Sequence, residues 1–306
     1  MSLDTSAATV TLNALTVAFD RGVKLATPLH RELAMEVPSS GLSEDYAMLG
    51  NVPSIREWLG ERVFSELRAA KWNITNKEWE GSVMINKTDI KDDRLGLYKP
   101  VMEQLGRRAA NHPTKLLFDL INGAETGACF DGQYFFDTDH SWGDSGDQDN
   151  DLTYDVVSTT AVTPAEFKAA YNQAVGAMAA FVDDQGEYLN DSVFQPSRSL
   201  VVVVPFALEQ AALDALSVRL LSTGGDNAVI DRPKIIPCVA LDSDVKFDVY
   251  RVDEPIKPYI FQAREPLSRQ RKGDSDAETK LIKFMSYARY NMGYGAWWTA
   301  VRTTLS

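Results

Sequence analysis

Between Lys71 and Ile90 the chain reads KWNITNKEWEGSVMINKTDI, and apolar residues fall on alternate positions. Trp72 and Ile74 alternate with polar neighbours, and Trp79, Val83 and Ile85 do so further on. That period belongs to strands with one apolar face, and Asn76-Lys77 between the two runs reads as a turn, so a two-stranded hairpin is expected. Polar residues outnumber apolar ones in it, which leaves little to pack on a core of its own. An isolated hairpin is at best marginally stable in water, so this one has to lean on something else. The longest helical stretch follows at once, with Leu97, Val101, Leu105, Ala109, Leu116 and Leu120 along one face and Arg107, Arg108 and Lys115 on the remainder. Pro113 is expected to kink or split this helix, and Gly123 to end it.

Upstream, residues 4–20 are weakly amphipathic and helix-like, and EVPSSGLSEDYAMLGNVPS reads as an extended, poorly packed arm. Helical spacing resumes in SIREWLGERVFSELRA through Ile55, Trp58, Leu59, Val63 and Leu67. Downstream, Thr163, Pro164 and Glu166 spell an N-cap, a first-turn proline and a capping box. SLVVVVP, residues 199–205, has the continuous β-branched run of a strand buried on both faces. A helix over FALEQAALDALSVRLL comes next, then strands in NAVIDRPKIIPCVAL and KFDVYRVD. PYIFQARE and MSYARYNMGYGAWWTAV read as closing strands separated by a charged segment around SRQRKGDSDAETK. The order of elements is that of an α+β chain.

At 306 residues, 44% of them hydrophobic, the chain can bury a sizeable core. Its net charge of -12 argues against a sequence-specific nucleic-acid binder, which needs a basic face. Cys129 and Cys238 are far apart and form no CxxC pair, so neither a disulfide framework nor a zinc site is expected, and both read as small buried residues. The N-terminus lacks a basic region followed by an apolar core, and no stretch reaches the roughly 18 apolar residues of a membrane span. No membrane partner is therefore expected.

One segment imitates a catalytic site. FFDTDHSWGDSGDQDNDLTYD, residues 135–155, holds seven aspartates and a histidine, and no Lys or Arg occurs between Lys115 and Lys168. Gly143-Asp144-Ser145-Gly146 matches a serine-protease nucleophile segment only until Asp147 takes the place of the next glycine. Asp147, Asp149 and Asp151 suit the first positions of a calcium loop, yet Leu152 replaces the obligatory glycine and Ser158 the bidentate glutamate. His140 with Asp137 and Asp139 has no second histidine at helical spacing. No catalytic, cofactor-binding or metal residues are assigned, and no cofactor is expected. The aromatics Phe130, Tyr134, Phe135 and Phe136 are expected to pin the first half to the core. Asp137, Asp139 and His140 are expected to cap its turn, and SWGDSGDQDND to be a mobile, exposed loop.

Several segments, in order, carry a resemblance: VPSSGLSEDYAMLGNVPSIREWLGERV, NKEWEGSVMINKTDIKDDRLGLYKPVMEQLGRRAANHP, CFDGQYFFDTDH, KPYIFQARE and ARYNMGYGAWWTA. On these the chain resembles the major head subunit of Mu-like phages and prophages, the gpT family, over almost its whole length. The resemblance implies the α+β fold of tailed-phage major capsid proteins, shared with encapsulin shells. The parts expected are an N-terminal arm and approach segment (1–65), an extended hairpin loop (66–95) and a peripheral domain with a long spine helix (96–159). An axial domain (160–250) and closing strands that return to the core (251–306) complete it. Assembly is assigned to the hairpin through Trp72, Ile74, Trp79, Val83 and Ile85.

The function implied is structural, not enzymatic: self-assembly into the pentamers and hexamers of an icosahedral head enclosing double-stranded DNA. The chain is then its own main partner, assembled in the host bacterial cytoplasm and located in the virion. A separate scaffold is expected, because the arm begins within a few dozen residues, together with a maturation protease and a portal protein. The acidic balance suits a wall that does not grip DNA, since phosphate affinity rises with each Lys or Arg contact. The rival readings are an encapsulin-like compartment and a cation-dependent hydrolase using residues 137–155.

Overall fold

The computed structural model describes residues 2–50, 68–86, 88–89, 95–141, 145–190, 200–217, 233–272 and 281–306. The helix expected over residues 55–67 lies outside them. The elements run α1 (Ser2–Leu25), α2 (His30–Leu33), β1 (Ala34–Pro38), β2 (Ser43–Gly50), β3 (Arg68–Thr75), β4 (Lys77–Asn86) and α3 (Leu95–Asn122). They continue as β5 (Asp151–Tyr154), α4 (Pro164–Ala180), β6 (Leu200–Pro205), α5 (Phe206–Leu216), β7 (Lys234–Cys238) and β8 (Lys246–Arg251). The last strands are β9 (Tyr259–Lys272), β10 (Leu281–Tyr294) and β11 (Ala300–Leu305).

Two sheets organise the chain. The first has the order β1-β9-β10-β4, with β1 parallel to β9 and the other pairs antiparallel. Strand β9 runs on through Ser268–Lys272, so the first five residues of the expected charged spacer are strand, and 273–280 lie outside the described residues. Helices α1 and α3 cover one face of this sheet, where Leu15, Phe19, Ile85, Met102 and Phe284 form a buried cluster. The two helices cross so closely that a Cβ on Gly22 would collide with the Glu103 carbonyl, and one on Gly106 with that of Phe19. Glycine at both positions is what permits the contact.

Helix α3 continues through Pro113 without splitting. Its buried face differs from the expected one. Met102, Leu117 and Ile121 are fully buried and Leu105, Ala109, Leu116 and Leu120 partly so, whereas Leu97 and Val101 are 70% and 50% exposed. The apolar period marks one stripe, but the glycine-mediated contact with α1 rotates the buried face onto Met102 and Gly106.

The second sheet has the order β5-β11-β8-β6-β7 and carries α4 and α5. The valine run of β6 is buried along its length between β8 and β7, as continuous β-branching predicts. Thr163 and Glu166 form the capping box of α4, with Pro164 in its first turn. This sheet recruits β5 and β11, so it extends beyond the expected 160–250 boundaries on both sides.

An aromatic and ionic junction ties the two sheets together. Phe135 stacks on Tyr294 at 4.9 Å and touches Tyr259 at 5.2 Å. Beside it Arg302 on β11 makes a bidentate pair with Asp248 on β8 (2.7 and 2.9 Å), lies over the Phe136 ring at 4.4 Å and donates to the Ile121 carbonyl at the end of α3.

Candidate assembly surfaces

The five residues expected to serve assembly sit on two strands with different neighbours. Trp72 and Ile74 are on β3, and Trp79, Val83 and Ile85 on β4. The expected hairpin between them does not form. Strand β3 pairs with β2, from Ser43↔Thr75 to Gly50↔Arg68, while β4 pairs with β10, from Asn86↔Leu281 to Lys77↔Tyr290. Only Asn76 separates the two strands, and the tightest common hairpin loops need two residues. The buried Asn76 donates from Nδ2 to Ser39 Oγ (2.8 Å) and the Gly41 carbonyl (3.0 Å), steering the chain from one sheet into another.

Nor does this stretch lack a core. Ile74 and Ile85 are 4% and 1% exposed. Ile74 packs on Gly293, where a Cβ would stand only 2.6 Å from Ile74 Cδ1, and Ile85 belongs to the cluster beneath α1 and α3, with Val83 against it. The Trp79 indole donates to the Tyr290 carbonyl at 2.9 Å and its ring lies 4.4 Å from that of His112. Residues 77–86 are thus sheet, and β3 is zipped to β2 as a two-stranded ribbon whose base, at Trp72 and Ile74, packs on the core.

The ribbon is seated at its base by polar side chains that strand alternation alone did not mark out. Gln262, fully buried on β9, donates to the Ile74 carbonyl (3.1 Å) and accepts from the Tyr46 hydroxyl (2.9 Å). Asn291 on β10 donates to the Thr75 carbonyl at 2.8 Å. The Glu44 carboxylate accepts from the amides of Gly41 (2.9 Å) and Ser40 (2.7 Å) and the hydroxyl of Ser39 (2.8 Å), bonds that hold its pKa below the ordinary carboxylate value. Arg264 donates to the Gly41 carbonyl. The signal in the sequence was a glutamine and an asparagine at strand positions among aromatics, since a buried amide needs partners.

The acidic stretch resolves into anchored parts. Phe135 and Phe136 are fully buried, as expected, but Tyr134 is 48% exposed. Asp137 caps the turn by accepting from the amides of Tyr134 (3.2 Å) and Thr138 (2.8 Å). His140 does not cap it: fully buried, it bonds Asp131 at 2.7 Å through Nδ1 and stacks on Trp297 at 4.2 Å.

Trp142, Gly143 and Asp144 lie outside the described residues; of the remainder, Ser141, Gly146, Asp147 and Asp149 are exposed as expected, whereas Gln148 and Asn150 are anchored. Gln148 exchanges both backbone bonds with His140 and both side-chain amide bonds with Val182. Asn150, fully buried, donates to the carbonyls of Phe135, Trp297 and Ala300. The two amides between the aspartates are what fasten it. Among the described residues, no three His, Cys, Asp or Glu side chains converge in a manner that would hold a metal ion.

Asp151, on β5, is raised by burial, and then by repulsion from Glu125, to a pKa of about 6. The folded chain thus holds this proton more tightly than the unfolded one. Its stabilising contribution is complete below the ordinary carboxylate value and is lost as pH rises through about 6. Asp151→Asn is expected to gain in melting temperature over the parent as pH rises from about 4 to about 7. An offset between the two that stays constant across that range would contradict the assignment.

The sequence matches the family described as the Mu-like prophage major head subunit gpT over residues 9–165. It is 37% identical over 153 residues to the Mu-like prophage FluMu major head subunit of Haemophilus influenzae, covering half of each chain. It is 40% identical over 122 residues to the major capsid protein of Escherichia phage Mu, covering 40% of each. The matched stretch thus spans half or less of these relatives' length. The structure resembles a chain in the procapsid of bacteriophage JBD30, with a TM-score of 0.54 and 24% identity over 97% of this chain and 74% of that one. It also resembles the virus-like particle of Pyrococcus furiosus, with a TM-score of 0.58 and 12% identity over 95% and 98%. At such identities the likeness shows the fold, which is the α+β fold of tailed-phage major capsid proteins. On the match across half its length, the chain belongs to the family of Mu-like prophage major head subunits, gpT.

Proposed function

We propose that this chain is a structural head subunit whose copies assemble into the pentamers and hexamers of an icosahedral shell around double-stranded DNA. Its place is then the virion, with assembly in the bacterial cytoplasm beside a separate scaffold, a maturation protease and a portal. Residues 96–150 and the first sheet would form the peripheral domain, and the second sheet, β5 and β11 included, with α4 and α5 the axial domain. The observation that carries this reading is the β2–β3 ribbon, which forms a sheet of its own and is seated at its base by Gln262, Asn291 and Asn76. Two strands alone are marginal in water, so a ribbon held firmly at one end suits contact with a neighbouring copy. Contacts of that heterologous kind close into rings.

The test is to replace residues 47–70, that is the ends of β2 and β3 away from the base (47–50 and 68–70) and the residues between them that lie outside the described set, by a short Gly-Ser turn. None of the core residues named above is removed, so the variant is expected to melt cooperatively near the parent temperature and to form no shells. Normal shells from this variant would exclude the ribbon from assembly.

A further inference from the structure

The segment that joins α1 to the ribbon is pinned by a buried histidine. His30 opens α2, is 4% exposed, and its ring lies 4.8 Å from that of Phe261 on β9. Its backbone amide donates to Thr114 Oγ1 on α3 at 3.4 Å, and its Nδ1 lies 3.5 Å from the same hydroxyl. Leu33 closes α2 fully buried, and the chain passes at once into β1, paired with β9 from Ala34↔Tyr259 to Pro38↔Ala263. The next residue, Ser39, belongs to the seat of the ribbon. Its amide donates to the Ala263 carbonyl at 2.9 Å, its hydroxyl donates to Glu44, and the same oxygen accepts from Asn76. His30 therefore fastens the root of the ribbon to α3 and β9.

The surroundings of the ring suit a neutral imidazole. Arg31 follows it on α2, and Lys115 follows Thr114 on α3. Lys257 donates to the carbonyls of Arg31 and Glu32 at 3.0 Å each, and Lys234 on β7 pairs with the Glu32 carboxylate. Glu36 on β1 is exposed, and the part of β9 beside β1, residues 259–263, carries no charge. Among the described residues no carboxylate pairs with His30. A proton on it would place a second cation beside Arg31 in a buried site, with a hydroxyl as the available partner, which is costly. Burial first, and then Arg31, lower its pKa from 6.5 to about 4.

We propose that α2 and β1 form an acid-released latch: neutral His30 seats residues 29–38 on α3 and β9, and its protonation frees them together with the root of the ribbon. The released segment takes up the proton at the ordinary histidine value and the seated one only near 4. Seating is therefore complete above about 6.5 and is lost as pH falls from there toward 4. The ratio of released to seated segment rises about 20-fold from pH 7 to pH 5. Asp151 shifts stability in the opposite direction over this range, so the latch is read locally and not from global melting. The proposal goes beyond the shell reading and stands without it, because every contact lies within one subunit.

The experiment is hydrogen exchange with mass spectrometry on the full chain at pH 7, 6 and 5, expressed as protection factors. Residues 29–38 are expected to lose about 20-fold more protection than α4 between pH 7 and pH 5. In His30→Gln, whose amide reaches Thr114 but does not titrate, that extra loss is expected to vanish. His112→Gln is expected to retain it, since His112 lies against Trp79 and Tyr290 and not against α2. An equal pH response in residues 29–38 and α4, or an extra loss that persists in His30→Gln, would overturn the proposal. If His30→Gln does not fold, proton NMR of the parent decides, because the chain has only three histidines. The His30 ring signal, assigned by its Overhauser contact with Phe261, is expected to titrate below about 5.5, and a midpoint at or above that value would overturn the latch.

Discussion

Replacing Asp248 by alanine is expected to cost about 3–5 kcal/mol of folding stability, because it strands a buried guanidinium. Arg302 and Asp248 are 5% and 2% exposed and joined by two bonds of 2.7 and 2.9 Å. Burial opposes the charge on Arg302, but Asp248 outweighs burial and raises its pKa. Asp248 also accepts from the Tyr250 hydroxyl at 2.8 Å, so the substitution leaves both the Arg302 guanidinium and the Tyr250 hydroxyl, on neighbouring strands of the second sheet, without their acceptor. Glu125 remains within 3.0 Å of Arg302, and Lys246 shares it, which keeps the effect within that range. Urea denaturation measures it. A loss under about 1 kcal/mol, the range of an exposed pair, would show that the junction is solvated.

Phe135→Ala is expected to be comparably severe, at about 3–5 kcal/mol, since it empties a fully buried aromatic site. Phe135 lies 5.1 Å from Phe136, 4.9 Å from Tyr294 and 5.2 Å from Tyr259, at the meeting of the α3–β5 connection with β9 and β10. Tyr134→Ala, one residue away and 48% exposed, is expected to change stability by no more than about 0.5 kcal/mol. Equal losses for the pair would mean that the segment does not plug the core as described.

Local signals in the sequence were sufficient where the structure is local. Thr163-Pro164-Glu166 opened a helix, and the valines of β6 were buried as their branching required. The strands containing Trp72 and Trp79 were visible from alternation, but their partners were not. Pairing β3 with β2 and β4 with β10 joins residues as much as about 200 positions apart, which no short-range period encodes. The buried side of α3 was misjudged because Gly106 counts as neutral in an apolar pattern, although it marks the closest helix contact. His140 was matched with its sequence neighbours Asp137 and Asp139, whereas the turn carries it back to Asp131. The ribbon's base is hidden from the sequence for the same reason: Gln262 and Asn291 act on Ile74 and Thr75 from 188 and 216 positions away.

The head-subunit reading is tested most directly by electron microscopy of the full chain, expressed alone and together with a candidate scaffold protein. Closed, uniform shells with pentameric and hexameric units, lost when residues 47–70 are replaced, are the predicted result. A chain that stays monomeric and folded under both conditions would contradict the account.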